Sequence, residues 1–351
     1  MSVGAKHKNN FDLLRFLLAF IVFLVHSHVL SKKPELGFFS AYLSSDFAVK
    51  AFFVVSGYLI FMSYENSSSL RDYLVKRTRR IYPAYFSIVV LCSIVGLFLS
   101  SFSATEYFSL GWLKYLLANL VFLNFLAPSL PGVFTTNPGN VAVNGALWTL
   151  KIEVVFYLLV PMIVLLFRKF NRFAVIAIIY VLSISYLLWM NALFEKTGSA
   201  IYEVLARQIP GQLCYFMVGA LFYYYENRLS KFFLPLCFVA IILFIFSDPW
   251  LSPIEPLVLA TIVIYFAVGF KYLGNFGKFG DFSYGIYITH FPILQTLIAM
   301  DLFNQNAFKG LFVAIMVVLT GAFIFWHLIE KRFLKKSSHY VIADKTVNEQ
   351  S

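Results

Sequence analysis

Continuous apolar runs, most of them roughly 20 residues long, dominate this sequence, and a helix of about 20 residues is what a bilayer crossing needs. Polar or basic clusters bound the runs. Soluble domains carry about 25% charged residues, whereas this 351-residue chain carries 13% and is 60% hydrophobic. A β-barrel would show alternating rather than continuous apolar residues. The sequence therefore predicts an all-α polytopic membrane protein.

Ten of these runs are predicted to cross the membrane as a helical bundle. The ten predicted spans are residues 11–30, 47–63, 81–102, 146–167, 173–194, 208–226, 232–247, 254–270, 282–300 and 308–329. Another apolar stretch, 112–128, is left out because counting it would place the basic cluster Arg168–Arg172 outside, against the positive-inside rule. With about ten spans, 20 of the 28 Lys and Arg residues are cytoplasmic, which predicts cytoplasmic N- and C-termini.

A single membrane domain accounts for nearly all of the chain. We predict a transmembrane domain over 1–336 and a polar cytoplasmic tail over 337–351 that is disordered. The long outer segment 103–145 is predicted to form a lid or a partly buried re-entrant structure. The net charge of +11 has no soluble basic domain to hold it, so it is a topology signal and argues against nucleic acid as a partner. The three cysteines lie in apolar runs without metal-ligand spacing, and no metal site is predicted.

The first span carries an arginine and a histidine on one helical face. Arg15 and His26 are separated by about three turns, or about 16 Å along the axis. An ionisable group inside a membrane is costly and points to function by default. The alternative is that Arg15 extends to the inner headgroups and that His26 lies at the outer interface.

Three more ionisable residues are candidates for chemistry near the membrane surfaces. Arg77 and Arg80 have a spacing that on a helix points both guanidinium groups the same way, which suits a polyphosphate ligand. They could equally serve as a topology anchor. Glu153 lies about seven residues into its span, and a carboxylate at that depth needs a partner. A structural ion pair is the alternative to a functional role for Glu153.

Two late residues complete the set of candidates. His290 lies in mid-span with Pro292 close behind it, and it is either a packed core histidine or part of a cavity lining. Glu330 closes the last span and is expected to be interfacial. The basic residues are predicted near the cytoplasmic face of the membrane, and a histidine and a carboxylate nearer the outer face. This arrangement suits an enzyme whose group donor enters from the cytoplasm and whose acceptor arrives from the other face. It would also suit proton-coupled transport, so these residues alone do not choose between enzyme and transporter.

Six short motifs occur in order along the chain. They are Phe11-Asp12-Leu13-Leu14-Arg15 with His26, Ala51–Ile60, Arg77–Pro83, Leu147–Glu153 with Phe156-Tyr157 and Pro161, Phe282–Pro292, and Ile329-Glu330-Lys331. This ordered set resembles the integral-membrane acyltransferase-3 family, the bacterial O-acyltransferases that decorate surface and secreted carbohydrates. The sequence departs from the family pattern at Thr149, where serine is commoner, and at Thr289, where tryptophan is common. Neither departure removes an ionisable group.

The resemblance implies transfer of an acyl group, usually acetyl, from cytoplasmic acetyl-CoA to a hydroxyl of an extracytoplasmic or lipid-linked carbohydrate. It makes His26 the catalytic histidine and Arg15, Arg77 and Arg80 essential basic residues. Depth and facing, taken together with the family pattern, extend the predicted site. The predicted catalytic residues are then His26, Glu153 and Arg15, the donor contacts are Arg77, Arg80, Arg15, Ser56 and Tyr58, and the carbohydrate contacts are Trp148, Tyr157 and His290. The resemblance also implies a multi-pass protein of the bacterial cytoplasmic membrane that contacts membrane lipid, and it predicts no oligomeric state.

The expected path of the donor follows the first span. Arg77 and Arg80 would hold the CoA phosphates, and the pantetheine arm would then pass Arg15 and bring the thioester toward His26. His26 would deprotonate the acceptor hydroxyl or take the acyl group first as a nucleophile. A backbone kink near Ser56-Gly57 is expected to admit the substrate.

Two alternatives to an O-acetyltransferase remain open at this point. A transporter or flippase of lipid-linked sugars could use the same buried groups, but such folds often show internal repeats, and the sequence shows none. The second alternative keeps the fold and changes the donor, for example to succinyl-CoA.

Overall fold

The computed structural model describes residues 9–246 and 252–335, and these residues are helical, with no β-strand among them. The predicted tail over 337–351 lies outside the described residues. The helices are α1 (Phe11–Ser31), α2 (Gly37–Tyr42), α3 (Ser45–Glu65), α4 (Leu70–Leu99), α5 (Ala104–Tyr107), α6 (Leu110–Leu120), α7 (Trp148–Lys169), α8 (Arg172–Thr197), α9 (Ala200–Ala206), α10 (Ile209–Leu229), α11 (Phe233–Ile245), α12 (Glu255–Ile264), α13 (Phe282–Ala299), α14 (Leu302–Gln305), α15 (Ala307–Phe325) and α16 (Lys331–Phe333). The all-α prediction is confirmed.

Seven helical segments of the described part are long and apolar enough to cross a membrane. They are Phe11–Ser31, Ser45–Glu65, Leu70–Leu99, Gly145–Lys169, Arg172–Thr197, Ala200–Ile245 and Ala307–Phe333. The predicted spans 208–226 and 232–247 both fall in Ala200–Ile245, and the predicted span 254–270 matches the shorter apolar helix Glu255–Gly269. The predicted span 282–300 matches α13, which is not one of the seven. The count of ten and the cytoplasmic placement of both termini therefore stay predictions.

The apolar stretch 112–128 does not form a long helix. Its helical part, α6, has 11 residues, which is about 16 Å at 1.5 Å per residue and short of the roughly 30 Å of a hydrocarbon core. After α6 the chain turns at Phe122, whose φ is 63°. This length agrees with the interpretation of 112–128 as a re-entrant or interfacial segment.

The chain divides into two compact units. The first unit comprises Met1–Leu14, Val49–Leu74 and Ile152–Phe276, and the second comprises Arg15–Ala48, Val75–Lys151 and Gly277–Ser351. Each unit is therefore assembled from three separate stretches of the sequence, so residues far apart along the chain meet within it.

Close packing of α3 on α10 organises the first unit. A Cβ atom on Gly57 would lie 2.0 Å from the Phe216 carbonyl oxygen, and one on Gly219 would lie 2.1 Å from the Val54 carbonyl oxygen. Small residues allow helix backbones in a membrane to approach in this way. Helix α3 runs from Ser45 to Glu65 without interruption. Gly57 is thus explained by helix packing, and the kink expected near Ser56-Gly57 stays a prediction.

Helix α13 is the central element of the second unit. It packs on α15, where a Cβ atom on Gly285 would lie 2.9 Å from the Ala322 Cα. Pro292 lies inside α13 and has no N–H to donate to the carbonyl four residues earlier. That carbonyl, of Ile288, accepts a hydrogen bond from Asn144 Nδ2 at 2.8 Å instead. The backbone group left open by the proline is therefore satisfied by a long-range contact.

The outer segment 103–145 is fastened to α13 within the second unit. Gln295 Nε2 donates to the carbonyls of Asn140 at 2.6 Å and Ala142 at 2.8 Å. Asn137 Nδ2 donates to the Gln295 carbonyl at 2.9 Å. A Cβ atom on Gly139 would lie 2.6 Å from Leu30 Cα, at the end of α1. These contacts pack the segment on α13 and α1, and its lid or re-entrant character stays a prediction.

Candidate active site

Helices α1 and α13 bring the predicted arginine and histidine against partners in the second unit. Arg15 meets Asp281 immediately before α13, and His26 meets His290 in its middle. Arg15 precedes His26 on α1, and their partners Asp281 and His290 follow in the same order at α13. The two helices therefore run parallel. Helix α1 ends at Ser31, three residues before Pro34. The next residue, Lys32, has a φ of 54° and turns the chain away from the helix.

The two histidines form a direct hydrogen bond. His26 Nδ1 lies 2.8 Å from His290 Nε2, and His290 Nδ1 lies 3.1 Å from the Ile286 carbonyl oxygen. His290 is fully buried, whereas His26 is half-buried. Within the second unit, the described residues offer His26 Nε2 no hydrogen-bond partner. One nitrogen of His26 is therefore engaged with a buried side chain, and the other has no hydrogen-bond partner among the described residues of that unit.

Aromatic side chains enclose the histidine pair. The Phe291 ring lies edge-on to His26 at 5.5 Å between centroids, and the Tyr287 ring lies 5.9 Å from His290. The Tyr287 hydroxyl is occupied by Thr149 Oγ1 at 2.7 Å. Trp148, at the start of α7, is half-buried. The pair thus lies among apolar rings, and the nearby hydroxyl is already paired.

Four charged side chains form a second cluster in the same unit. Asp281 contacts both Arg15, at 3.0 Å, and Arg80, and Arg80 also contacts Glu330 at 3.2 Å. Asp281 and Glu330 are buried at 2% exposure. Two guanidinium groups thus face two carboxylates, so the formal charges of these four residues cancel. Arg80 also lies over the Tyr284 ring at 5.8 Å.

Asp281 holds this cluster through its position before α13. Its carboxylate accepts hydrogen bonds from Ser283 N at 3.1 Å and from the Ser283 hydroxyl, so it caps the helix. Burial raises the pKa of the Asp281 carboxyl, but the charges of Arg15 and Arg80 and the bonds from Ser283 outweigh burial and hold that pKa below its usual range. The carboxylate form is therefore the one that this site stabilises.

Sequence reasoning missed Asp281 and placed Glu330 wrongly. The expectation of an interfacial Glu330 is corrected, because the structure buries this side chain against Arg80. Glu330 ends a π-helical turn over Trp326–Glu330, and such turns are frequent at functional sites. A signal for Asp281 did exist in the sequence: a carboxylate directly before the Phe282–Pro292 motif can cap its helix, and arginines near a membrane require counter-charges.

Arg77 lies one helical turn before Arg80 on α4 and is half-buried. The predicted spacing is therefore realised on a helix, since α4 runs unbroken from Leu70 to Leu99. Arg80 is held by carboxylates, as described above.

The first unit contains a separate polar group around Glu153. Its Oε1 accepts hydrogen bonds from the Ser56 hydroxyl at 3.3 Å and from the Tyr157 hydroxyl. Three predicted site residues, Ser56, Glu153 and Tyr157, are thus brought together. Tyr58, also predicted, instead donates to Glu226, which sequence reasoning missed.

Two further observations bear on the chemistry available. Among residues 9–246 and 252–335, no group of three His, Cys, Asp or Glu side chains could hold a metal ion. An apolar cavity of about 540 Å³ lies in the second unit, lined mainly by α4, α13, α15 and residues 133–143. Its lining suits hydrocarbon rather than a sugar or a phosphate.

The fold and the buried histidine and arginine clusters define a multi-pass membrane protein with a candidate proton-transfer site. The chain belongs to the acyltransferase-3 family, since the family model described as "Acyltransferase domain" matches residues 8–327. It is therefore an acyltransferase.

Two relatives support this membership. The chain is 28% identical over 352 residues to an O-acetyl transferase of Shigella phage Sf6, with 96% of this chain and 100% of that protein covered. It is also 28% identical over 321 residues to Nodulation protein 10 of Rhizobium leguminosarum bv. viciae, with 84% and 85% covered. No solved structure matches the chain.

Proposed function

We propose that this membrane acyltransferase moves an acetyl group from cytoplasmic acetyl-CoA to a hydroxyl of an extracytoplasmic or lipid-linked carbohydrate, in the bacterial cytoplasmic membrane. The observation that carries the proposal is His26, which is bound through Nδ1 to a buried histidine and leaves Nε2 available. The O-acetyl transferase name of the phage relative supports acetyl as the transferred group.

The proposed reaction uses His26 as a general base. Nε2 takes the proton of the acceptor hydroxyl, whose oxygen attacks the thioester carbonyl carbon. The new C–O bond forms, the C–S bond breaks, and the leaving thiolate takes the proton back from His26 as CoA departs. The products are the O-acetyl sugar and free CoA. The same nitrogen would be the nucleophile if an acyl-histidine formed first.

We propose that Arg77 and Arg80 bind the donor's phosphates through their guanidinium groups. Arg80 also contacts Asp281 and Glu330. Arg15 and Arg80 keep their proposed role along the donor path, with their guanidinium groups fixed by Asp281. Ser56 and Tyr58 remain proposed donor contacts.

The proposed acceptor contacts are Glu153, Tyr157 and Trp148. Glu153 and Tyr157 are hydrogen-bonded to each other in the first unit, and a carboxylate beside a tyrosine can accept and donate bonds to sugar hydroxyls. We expect the segment 103–145 to set acceptor choice, because its chain lies over the end of α1 a few residues beyond His26.

The experiment is acetyl transfer from labelled acetyl-CoA to cell-envelope polysaccharide in vesicles that carry the full chain. For His26→Ala we expect a loss of at least about 100-fold, since a general base contributes about 10²–10⁴-fold. His28→Ala is the matched control. It lies two residues further along α1 and contacts Ser40, and its activity should match the wild type.

Three outcomes would contradict parts of the proposal. Undiminished labelling by a stably inserted His26→Ala variant would exclude His26 as the base. Transfer from succinyl-CoA in preference to acetyl-CoA would change the donor and keep the mechanism. A wild-type chain that transfers nothing from a panel of acyl-CoAs but moves lipid-linked sugar would support the transporter alternative.

A further inference from the structure

We infer that His290 is a positioning residue that fixes the tautomer of His26, so that Nε2 of His26 is unprotonated and ready to accept a proton. This inference deepens the proposed function and rests on His26 being the base. The sequence led us to assign His290 to the substrate, whereas the contacts of its two ring nitrogens give it a different role.

The direction of the hydrogen bonds follows from the Ile286 carbonyl. A carbonyl oxygen can only accept, so His290 Nδ1, at 3.1 Å from it, carries the proton. A neutral imidazole carries one proton, and His290 Nε2 is then an acceptor. The 2.8 Å contact to His26 must therefore be donated by His26 Nδ1. The remaining nitrogen of His26, Nε2, then holds a lone pair.

The surroundings of His290 keep it neutral. It is 0% exposed, and its described contacts in the second unit are a carbonyl, an imidazole and the rings of Phe23, Tyr287 and Phe291. None of these contacts carries a negative charge. A buried charge without a counter-charge is costly, so the imidazolium form, which would reverse the hydrogen bond to His26, has no stabilising partner there.

The ring geometry suits an N–H···N bond. The two imidazole planes differ by 9°, and their centroids are 5.1 Å apart. The centroid separation is about the sum of three lengths, namely the N···N distance of 2.8 Å and, for each ring, the distance from its centre to the bonded nitrogen. The rings therefore meet edge to edge in nearly one plane, where the N–H bond of one ring and the lone pair of the other point at each other.

His290 is also poorly placed to touch a substrate itself. Its side chain has no exposed surface, and both ring nitrogens are engaged. Its effect on the reaction must therefore pass through His26. An aspartate that orients a catalytic histidine acts in a comparable way in serine proteases, where its loss leaves the wrong tautomer.

The test compares two amides of different length, His290→Gln and His290→Asn. The Gln amide reaches about the position of the imidazole Nε2 and can still accept from His26 Nδ1. The Asn amide ends near the position of Nδ1 and cannot reach His26. For Asn we expect kcat to fall about 100-fold, at the lower end of a general-base contribution. For Gln we expect kcat within about tenfold of the wild type, so that it recovers most of the loss.

Further measurements separate orientation from folding and from substrate binding. KM for acetyl-CoA should stay within about twofold in both variants, because His290 touches no substrate. Thr296→Val is the control for α13, since among the described residues its hydroxyl bonds only to the Pro292 carbonyl of its own helix, and the kcat of this variant should be unchanged. If the Asn variant is not recovered as a stable protein, His290→Leu repeats that arm without an acceptor atom.

Equal kcat values for the Asn and Gln variants would overturn the inference. A raised KM for the carbohydrate with unchanged kcat would do the same and would return His290 to a substrate contact. The His26→Ala variant separates the two proposals. An inactive His26→Ala beside a fully active His290→Asn rejects only the positioning role, whereas an active His26→Ala rejects the proposed function.

Discussion

Asp281 is the carboxylate shared by two arginines, and replacing it with asparagine removes one negative charge while keeping the shape of the side chain. Arg15 would then lose the carboxylate that it contacts at 3.0 Å, and Arg80 would keep its contact with Glu330. Asparagine is as good a helix cap as aspartate, so the bond from Ser283 N to the start of α13 can persist. The substitution therefore tests the charge rather than the cap.

The size of the effect follows from burial. Breaking a buried ion pair by removing one partner costs about 3–5 kcal/mol. Both arginine side chains keep some access to solvent, 18% for Arg15 and 15% for Arg80, which places the expected loss near the lower bound, at about 3 kcal/mol. At roughly 2 °C per kcal/mol for a chain of this size, the melting temperature should fall by about 6 °C.

The assay is thermal unfolding of the purified full chain in one detergent at one scan rate. Glu203→Gln is the matched control, because it removes one carboxylate from the exposed pair with Arg207, whose side chains are 46% and 52% exposed. A surface pair contributes about 0–1 kcal/mol, so this variant should melt within about 2 °C of the wild type.

A double variant shows whether charge balance is the cause. Arg15→Met with Asp281→Asn leaves Arg80 against Glu330 as a balanced pair, and it should recover at least about 1 kcal/mol relative to Asp281→Asn alone. The reasoning is refuted if Asp281→Asn melts together with Glu203→Gln, or if the double variant is no more stable than Asp281→Asn.

The remaining predictions concern helix packing and the donor. Gly57→Ala should lower the free energy of unfolding by about 1–3 kcal/mol, because its methyl group would overlap the Phe216 carbonyl. The control is Gly321→Ala, whose Cβ meets no atom closer than 3.7 Å and which should be neutral or stabilising. Equal melting temperatures would contradict this. Arg77→Ala should raise KM for acetyl-CoA about tenfold or more. Arg80→Ala should lower the melting temperature, because it removes the arginine that Glu330 contacts and one of the two that Asp281 contacts. An unchanged KM in the Arg77 variant, or an unchanged melting temperature in the Arg80 variant, would contradict the role given to that residue.

Local spacing was sufficient to predict which residues share a helix face, but not which residues they meet. The eleven-residue separation of Arg15 and His26 follows from helix geometry alone, and both side chains do make contacts on α13 or just before it. Their partners, Asp281 and His290, are more than 260 positions away in the sequence. Which helices become neighbours depends on packing over the whole unit, and no local period encodes it.

Depth in the membrane was predicted less well where the backbone departs from a regular helix. Glu330 ends a π-helical turn and is buried, although its place near the end of an apolar run favours an interfacial position. Gly57 was expected to bend α3, because a glycine signals both flexibility and close approach. The sequence alone does not show the close approach, whereas the nearness of the Phe216 carbonyl does.

The two clusters of the second unit are coupled by the register of α1 against α13. The contacts of Arg15 with Asp281 and of His26 with His290 are separated by about 16 Å on α1 and about 14 Å on α13, so each fixes the position of the other along parallel helices. A slip of one residue would shift one helix by about 1.5 Å and turn its side chains by about 100°, which a 2.8 Å hydrogen bond does not tolerate. The ion cluster therefore helps to hold the histidine pair in place, and Asp281→Asn should lower kcat as well as stability, although Asp281 lies three helical turns from His26.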